Sequence, residues 1–151
     1  MDRKIRTENT KEKDLDELMY HMAVQTLLDM KAIYGRITKE DIREAINLSY
    51  TCRSIFFGGH LAAIVFFVLS DDNKNTLNMF VYATTEGFSK VDMLKESLFG
   101  IINGLQKTRF RSIVYKGNKK LQSILRANGF KFNKNVCFGE ENRNFCLFIR
   151  E

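Results

Sequence analysis

Little in this chain points to metal, disulfide or histidine chemistry. The two histidines, His21 and His60, stand isolated in the sequence, and neither recommends itself as a ligand or a catalytic base. The three cysteines are an odd number at spacings that match no metal motif, so no metal is expected. Cys137 and Cys146 would face each other if Glu141-Asn142 made a two-residue hairpin turn; reduced, packing cysteines in a reducing compartment are the expectation. No apolar run is long enough to span a bilayer, the longest, Leu61 to Leu69, being strand-sized, so no membrane is expected. Met1 to Lys13 is charged and lacks the apolar stretch of a secretion signal, which gives a cytoplasmic expectation. No repeat, low-complexity tract or linker interrupts the chain. One domain over residues 1–151 is therefore expected, with residues 1–13 flexible or laid on the surface.

What is present is apolar and basic. A hydrophobic content of 44% with thirteen Phe argues for a folded globule. The net charge of +6 is unevenly placed: nine basic residues and no acid lie between Lys107 and Lys134, leaving fifteen basic against eighteen acidic residues elsewhere. Such a segment can meet the phosphates of a cofactor, a nucleic acid or an acidic protein surface. Phe110, Tyr115 and Phe132 interleave with the basic residues, which supports a nucleic-acid reading.

The pattern of elements is more specific. Asp14 with Glu17 starts a helix running to about Tyr34 and stopping at Gly35, its apolar residues covering more than one stripe. Thr38 with Asp41 opens a shorter helix, with Ile42, Ala45 and Ile46 inward. Arg53 to Phe57 and His60 to Leu69 read as strands joined by Gly58-Gly59, a hairpin turn in which both positions can take positive φ. The second strand is almost continuously apolar and hence central. A turn over Asp71 to Asn75 leads to a strand at Leu77 to Ala83, a polar turn at Thr84 to Ser89, and a helix from Lys90 to Lys107 with Ser89 as N-cap. A short strand at Ser112 to Tyr115 precedes a helix from Asn118 as N-cap to Asn128, closed by Gly129-Phe130. Strand–helix–strand at this spacing implies parallel strands with a right-handed crossover. A last hairpin joins Lys131 to Phe138 and Asn144 to Arg150 about Gly139 to Asn142. The class is α/β (α+β), a mixed central sheet of about six to seven strands flanked by about four helices.

This order resembles the GNAT superfamily of acetyl-CoA-dependent N-acetyltransferases over nearly the whole chain from Asp14. The most specific part is Asn118, Leu121, Ile124, Leu125 and Gly129-Phe130, which fall at the spacing of the family's last helix. The resemblance implies that acetyl-CoA is held by the strand–turn–helix element, through Tyr82, Ala83, Thr84, Glu86, Gly87, Phe88, Ser89, Lys90, Val91, Asn118 and Lys119. In the family, amides at a helix N-terminus meet the pyrophosphate there.

The chain departs from the family pattern in two places. Glu86 stands at the usual Arg or Gln, and Ser89 and Val91 at the essential glycines; Gly87 sits where an optional glycine often does. A carboxylate about 5 Å from a phosphate charge costs roughly 3 kcal/mol before solvent screening. Leu125 stands where many active members carry the Tyr that protonates the departing thiolate. Tyr115 and Tyr82 are the nearest substitute acids, and Glu86, Asp71 and Asp72 the available bases. This combination is similar to phage-encoded GNAT-like proteins, including virion proteins, that keep the fold without clear catalytic motifs. The leading expectation is a non-catalytic binding or assembly role, with protein partners or a homo-oligomer. The alternative is a divergent N-acetyltransferase using acyl-CoA on a small-molecule or protein amine, its oxyanion held by backbone N–H groups near Tyr82 to Thr84. A basic nucleic-acid-binding module is the third reading.

Overall fold

The computed structural model describes residues 4–72, 75–107, 109–139 and 143–151, with the backbone alone at Arg143. In chain order the elements are β1 (Ile5–Asn9), α1 (Glu12–His21), α2 (Val24–Tyr34), α3 (Lys39–Asn47), β2 (Thr51–Phe57), β3 (His60–Leu69), β4 (Thr76–Ala83), α4 (Thr85–Ser89), α5 (Val91–Gly104), β5 (Arg109–Tyr115), α6 (Lys119–Ala127), β6 (Lys131–Phe138) and β7 (Arg143–Arg150). The strands form one mixed sheet in the order β1-β2-β3-β4-β5-β7-β6, with β4 and β5 its parallel pair. Gly58 (φ 56°) and Gly59 (φ 89°) make the β2–β3 turn, and β3 is buried along most of its length. Among the described residues, no helix is long and apolar enough to cross a membrane.

Helices cover the sheet unequally. One core cluster joins α5 and α6 to the sheet through Leu94, Leu98, Ile124, Leu125, Phe110 and Phe148. The other packs Leu15 and Leu18 of α1, Met30 of α2 and Ile42 of α3 on Phe56, Ile64, Phe66 and Tyr82. Four helix ends follow the sequence rules. Gly35 closes α2 in the left-handed region, and Thr38 caps α3 by accepting from the Asp41 N–H. Asn118 caps α6 by accepting from Leu121 N–H; at its other end Phe130 N–H donates to Leu125 O and Gly129 N–H to Arg126 O, a Schellman end.

Other expectations are corrected. The segment read as flexible or surface-laid contains β1, paired antiparallel to β2 at the sheet edge. The single helix from Asp14 to Tyr34 is two helices: Met22 and Ala23 are extended, Ala23 N–H donates to Ala83 O, and Met22 bridges Thr84. Asp14 sits inside α1, its carboxylate accepting from Lys11 N–H and Ser54 Oγ. Part of the polar turn after β4 is the short helix α4, so the described residues form six helices where about four were expected. Cys137 lies opposite Asn144 and Cys146 opposite Asn135, so the two cysteines do not face each other; all three are free, and Cys137 is exposed rather than packed. The Glu141-Asn142 turn and part of the turn after β3 lie outside the described residues.

Gly87 has a packing reason. A Cβ built there would lie 2.1 Å from Ala62 O, so α4 can press on β3 only without a side chain. Gly87→Ala is expected to cost about 1–3 kcal/mol through overpacking. The readout is a lower denaturant midpoint with an unchanged slope.

Candidate functional site: the gap between β4 and β5

Parallel pairing between β4 and β5 lasts three residues, Thr76–Asn78 against Arg109–Arg111. Beyond it, Ser112 Oγ donates to Met79 O at 2.9 Å, and the strands part. Parting parallel strands leave peptide groups that need partners. Here α2 supplies them at the wide end. Thr26 Oγ1 donates to Ala83 O at 2.9 Å and accepts from Ala83 N–H at 3.2 Å, while Ala23 N–H also reaches Ala83 O. One turn along α2, Asp29 Oδ2 accepts from Asn118 Nδ2 at 2.6 Å. Thr26 binds the end of β4 and Asp29 the α6 cap residue that follows β5, so α2 lies across the mouth of the gap.

The surroundings of this bridge are closed. Thr26 is fully buried and Asp29 is 5% exposed, with Oδ1 lacking any partner among the described residues. Burial pushes the Asp29 carboxyl up to about 7, against the opposing pull of Asn118 and the Tyr115 backbone. The Tyr34 and Tyr82 hydroxyls lie 3.0 Å apart. Burial raises the Tyr82 phenol well above its ordinary value, with Tyr34 adding to the effect, and raises Tyr34 as well.

The segment after β4 is equally committed to internal bonds. Thr84 N–H donates to Ala62 O, and Thr84 caps α4 by accepting from Gly87 N–H while its hydroxyl donates to Leu61 O. Phe88 N–H returns to Thr84 O and Lys90 N–H to Gly87 O. Glu86 pairs with Lys90 at 2.6 Å. Ser89 does not cap α5; its hydroxyl donates to Glu86 O, and Lys90 occupies the N-cap position without a side-chain capping bond. Lys120 Nζ donates to Phe88 O at 3.0 Å, which brings the start of α6 beside the break between α4 and α5.

The sequence-derived residues thus separate into groups. Tyr82, Ala83, Thr84, Glu86, Gly87, Phe88, Ser89, Lys90 and Val91 form one continuous turn, with Asn118 and Lys119 across the gap. The oxyanion role expected of the amides is contradicted at Ala83 and Thr84, whose N–H groups are spent on Thr26 and Ala62. Asp72 pairs with Arg111 beyond the opposite end of β4, about 20 Å from Ala83 at strand rise, so neither it nor Asp71 serves as a base at the gap. Tyr82 is buried against Tyr34, and Tyr115 stacks edge-on against Phe145. Leu125 is fully buried in the Schellman contact with Phe130.

Two groupings have no counterpart in the sequence reading. His21 and His60, distant in sequence, line one cavity of about 250 Å³ with Glu17, Leu61, Thr85 and Glu86. No group of His, Cys, Asp and Glu among the described residues could hold a metal ion. Thr26 and Asp29 were missed altogether. Their signal was a pair of polar residues three apart, which share one face of the helix.

No protein-family model and no curated protein sequence matches the chain. Solved structures do. An acetyltransferase of the GNAT family from Streptococcus agalactiae superposes with a TM-score of 0.74 at 16% identity, covering 99% of this chain and 96% of that one. The microcin C7 self immunity acetyltransferase MccE, in complex with acetyl-CoA and AMP, gives 0.71 at 14%, covering 97% and 91%. RimL, a ribosomal L7/L12 alpha-N-protein acetyltransferase in complex with coenzyme A, gives 0.69 at 13%, covering 97% and 93%. The fold is the GNAT fold.

The bridge carries a pH signature. With a carboxyl at about 7 when folded, against 3.8 ordinarily, the folded chain keeps a proton that the unfolded chain releases between about pH 4 and 7. This contribution to stability is full below about pH 4, falls as pH rises, and levels off above about 7. Asp29→Asn removes the dependence. Its stability relative to the parent is expected to rise by about 2–4 kcal/mol across that window, measured by urea denaturation at each pH.

Proposed function

We propose that this GNAT-fold protein has given up acetyl transfer for a binding or assembly role. The single observation carrying this reading is the bridge of Thr26 and Asp29 across the gap. The residues present do not fit acetyl-CoA there. Both amides that would meet a thioester oxygen are already donating, Gly87 is pressed on Ala62 rather than open to a phosphate, and Glu86 adds a carboxylate to the turn. Leu125 has no proton to give to a thiolate. The resemblance to phage-encoded proteins that keep the fold without the motifs supports a virion-associated setting, with another protein or a second copy as partner.

One observation favours the alternative of a divergent N-acetyltransferase. The first turn of α5 has no side-chain cap, and Lys90 at its N-cap and Lys120 on Phe88 O lie beside it, an arrangement suited to an anionic group. The nucleic-acid reading is weaker. Phe110 is 1% exposed and cannot stack on a base.

Titration with acetyl-CoA separates the first two. The proposed role predicts no change in melting temperature at about 1 mM ligand, because stabilisation follows the logarithm of ligand over dissociation constant. A rise that grows with concentration, together with coenzyme A release in the presence of an amine, would establish the transferase instead.

A further inference from the structure

On the face covered by α1, α2 and α3, the second core cluster draws no residue from β5, β7 or β6. α2 reaches that half of the sheet at Gly139, which lies against Ala32 and Ile33, and strand register fixes what the rows nearer Arg111 display. Arg111 lies opposite Ile149, which lies opposite Lys131; Ile113 lies opposite Leu147, which lies opposite Lys134. Directly opposed residues point to the same side of a sheet. The alternate residues Phe110, Val114, Cys146 and Phe148 belong to the α5–α6 core, so these rows face the other way. Ile113, Leu147 and Ile149 are only half-buried, while Lys131 and Lys134 are exposed. An apolar strip therefore runs between arginines on one flank and lysines on the other.

We propose that this half-sheet is a docking surface for an extended acidic segment of another protein that also carries apolar side chains. It gives the binding role proposed above a surface and a class of partner. Charge complementarity selects the acid: Arg109, Arg111, Lys131 and Lys134 face two carboxylates, Asp72 and Glu151, each largely exposed. Those two carboxylates already sit on Arg111 and Arg109 and show the chemistry these guanidinium groups accept. The apolar strip selects a peptide over a nucleic acid. The rings at the end of this face, Tyr115, Phe145 and Phe138, are locked edge-to-face with one another and offer no platform for bases.

The test uses the full chain and a fluorescent peptide of about ten residues alternating Glu and Leu, with a Glu/Ser peptide and an oligo-dT of similar length as comparators. Saturable binding of the Glu/Leu peptide is expected, weaker for Glu/Ser and weakest for oligo-dT. Lys131→Glu with Lys134→Glu, both exposed on an edge strand, should weaken it about tenfold, while Lys13→Glu with Lys116→Glu, exposed elsewhere on the surface, should change it less than about twofold. No saturable binding at low salt, equal loss in both double variants, or tighter binding of oligo-dT would each overturn the proposal. Such a failure removes this surface and leaves the acetyl-CoA result, and with it the closed gap, as it stands.

Discussion

Two parallel strands that part must find new partners for the peptide groups along their facing edges. In this chain the partner is its own second helix, and much of the local architecture follows. The helix reaches the end of β4 only because the chain goes extended at Met22 and Ala23, which places Ala23 N–H and Thr26 Oγ1 on Ala83. It reaches the end of β5 only by burying a carboxyl, Asp29, against the residue that also caps α6. Asn118 therefore serves two elements at once, holding the first turn of α6 with its oxygen and α2 with its nitrogen. Such coupling makes the gap a structural joint.

A buried carboxyl with one free oxygen is an expensive way to tie two helices, since desolvation works against its charge. Keeping the proton reduces that cost, and the carboxyl still accepts from Asn118. An apolar residue at position 29 could fill space but could not hold the Asn118 amide. The arrangement is thus specific to one docking of α2, as buried polar contacts often are when register matters more than raw stability. The same logic explains the turn after β4, where Thr84 closes α4 onto β3 and Gly87 lets it approach.

Much of this was legible in the sequence where a local rule has one physical solution. Gly58-Gly59, the Asn118 cap, the Gly129-Phe130 end and the apolar run of β3 each have a short-range cause, and together they carried the fold. The break between α1 and α2 was not legible, because no glycine or proline marks it; a backbone bond to a strand sixty residues later makes it. β1 was hidden for a related reason, since a short polar edge strand has no buried face to produce alternation. At the site, Glu86, Ser89, Val91 and Leu125 were visible as departures in chemistry. That Thr26 and Asp29 fill the opening was not, because their partners are Ala83 and Asn118, distant in sequence and unremarkable in type.

The account rests on α2 staying across the gap, and amide hydrogen exchange at Ala83 reads that contact directly. Its N–H points away from β3 to Thr26, so its protection reports α2 and not the β3–β4 ladder. The account predicts that Ala83 exchanges only on global unfolding, as slowly as the amides of β3. Fast exchange at Ala83 beside protected neighbours in β3 would mean that the helix swings out in the native state, and would contradict a gap closed by the chain itself.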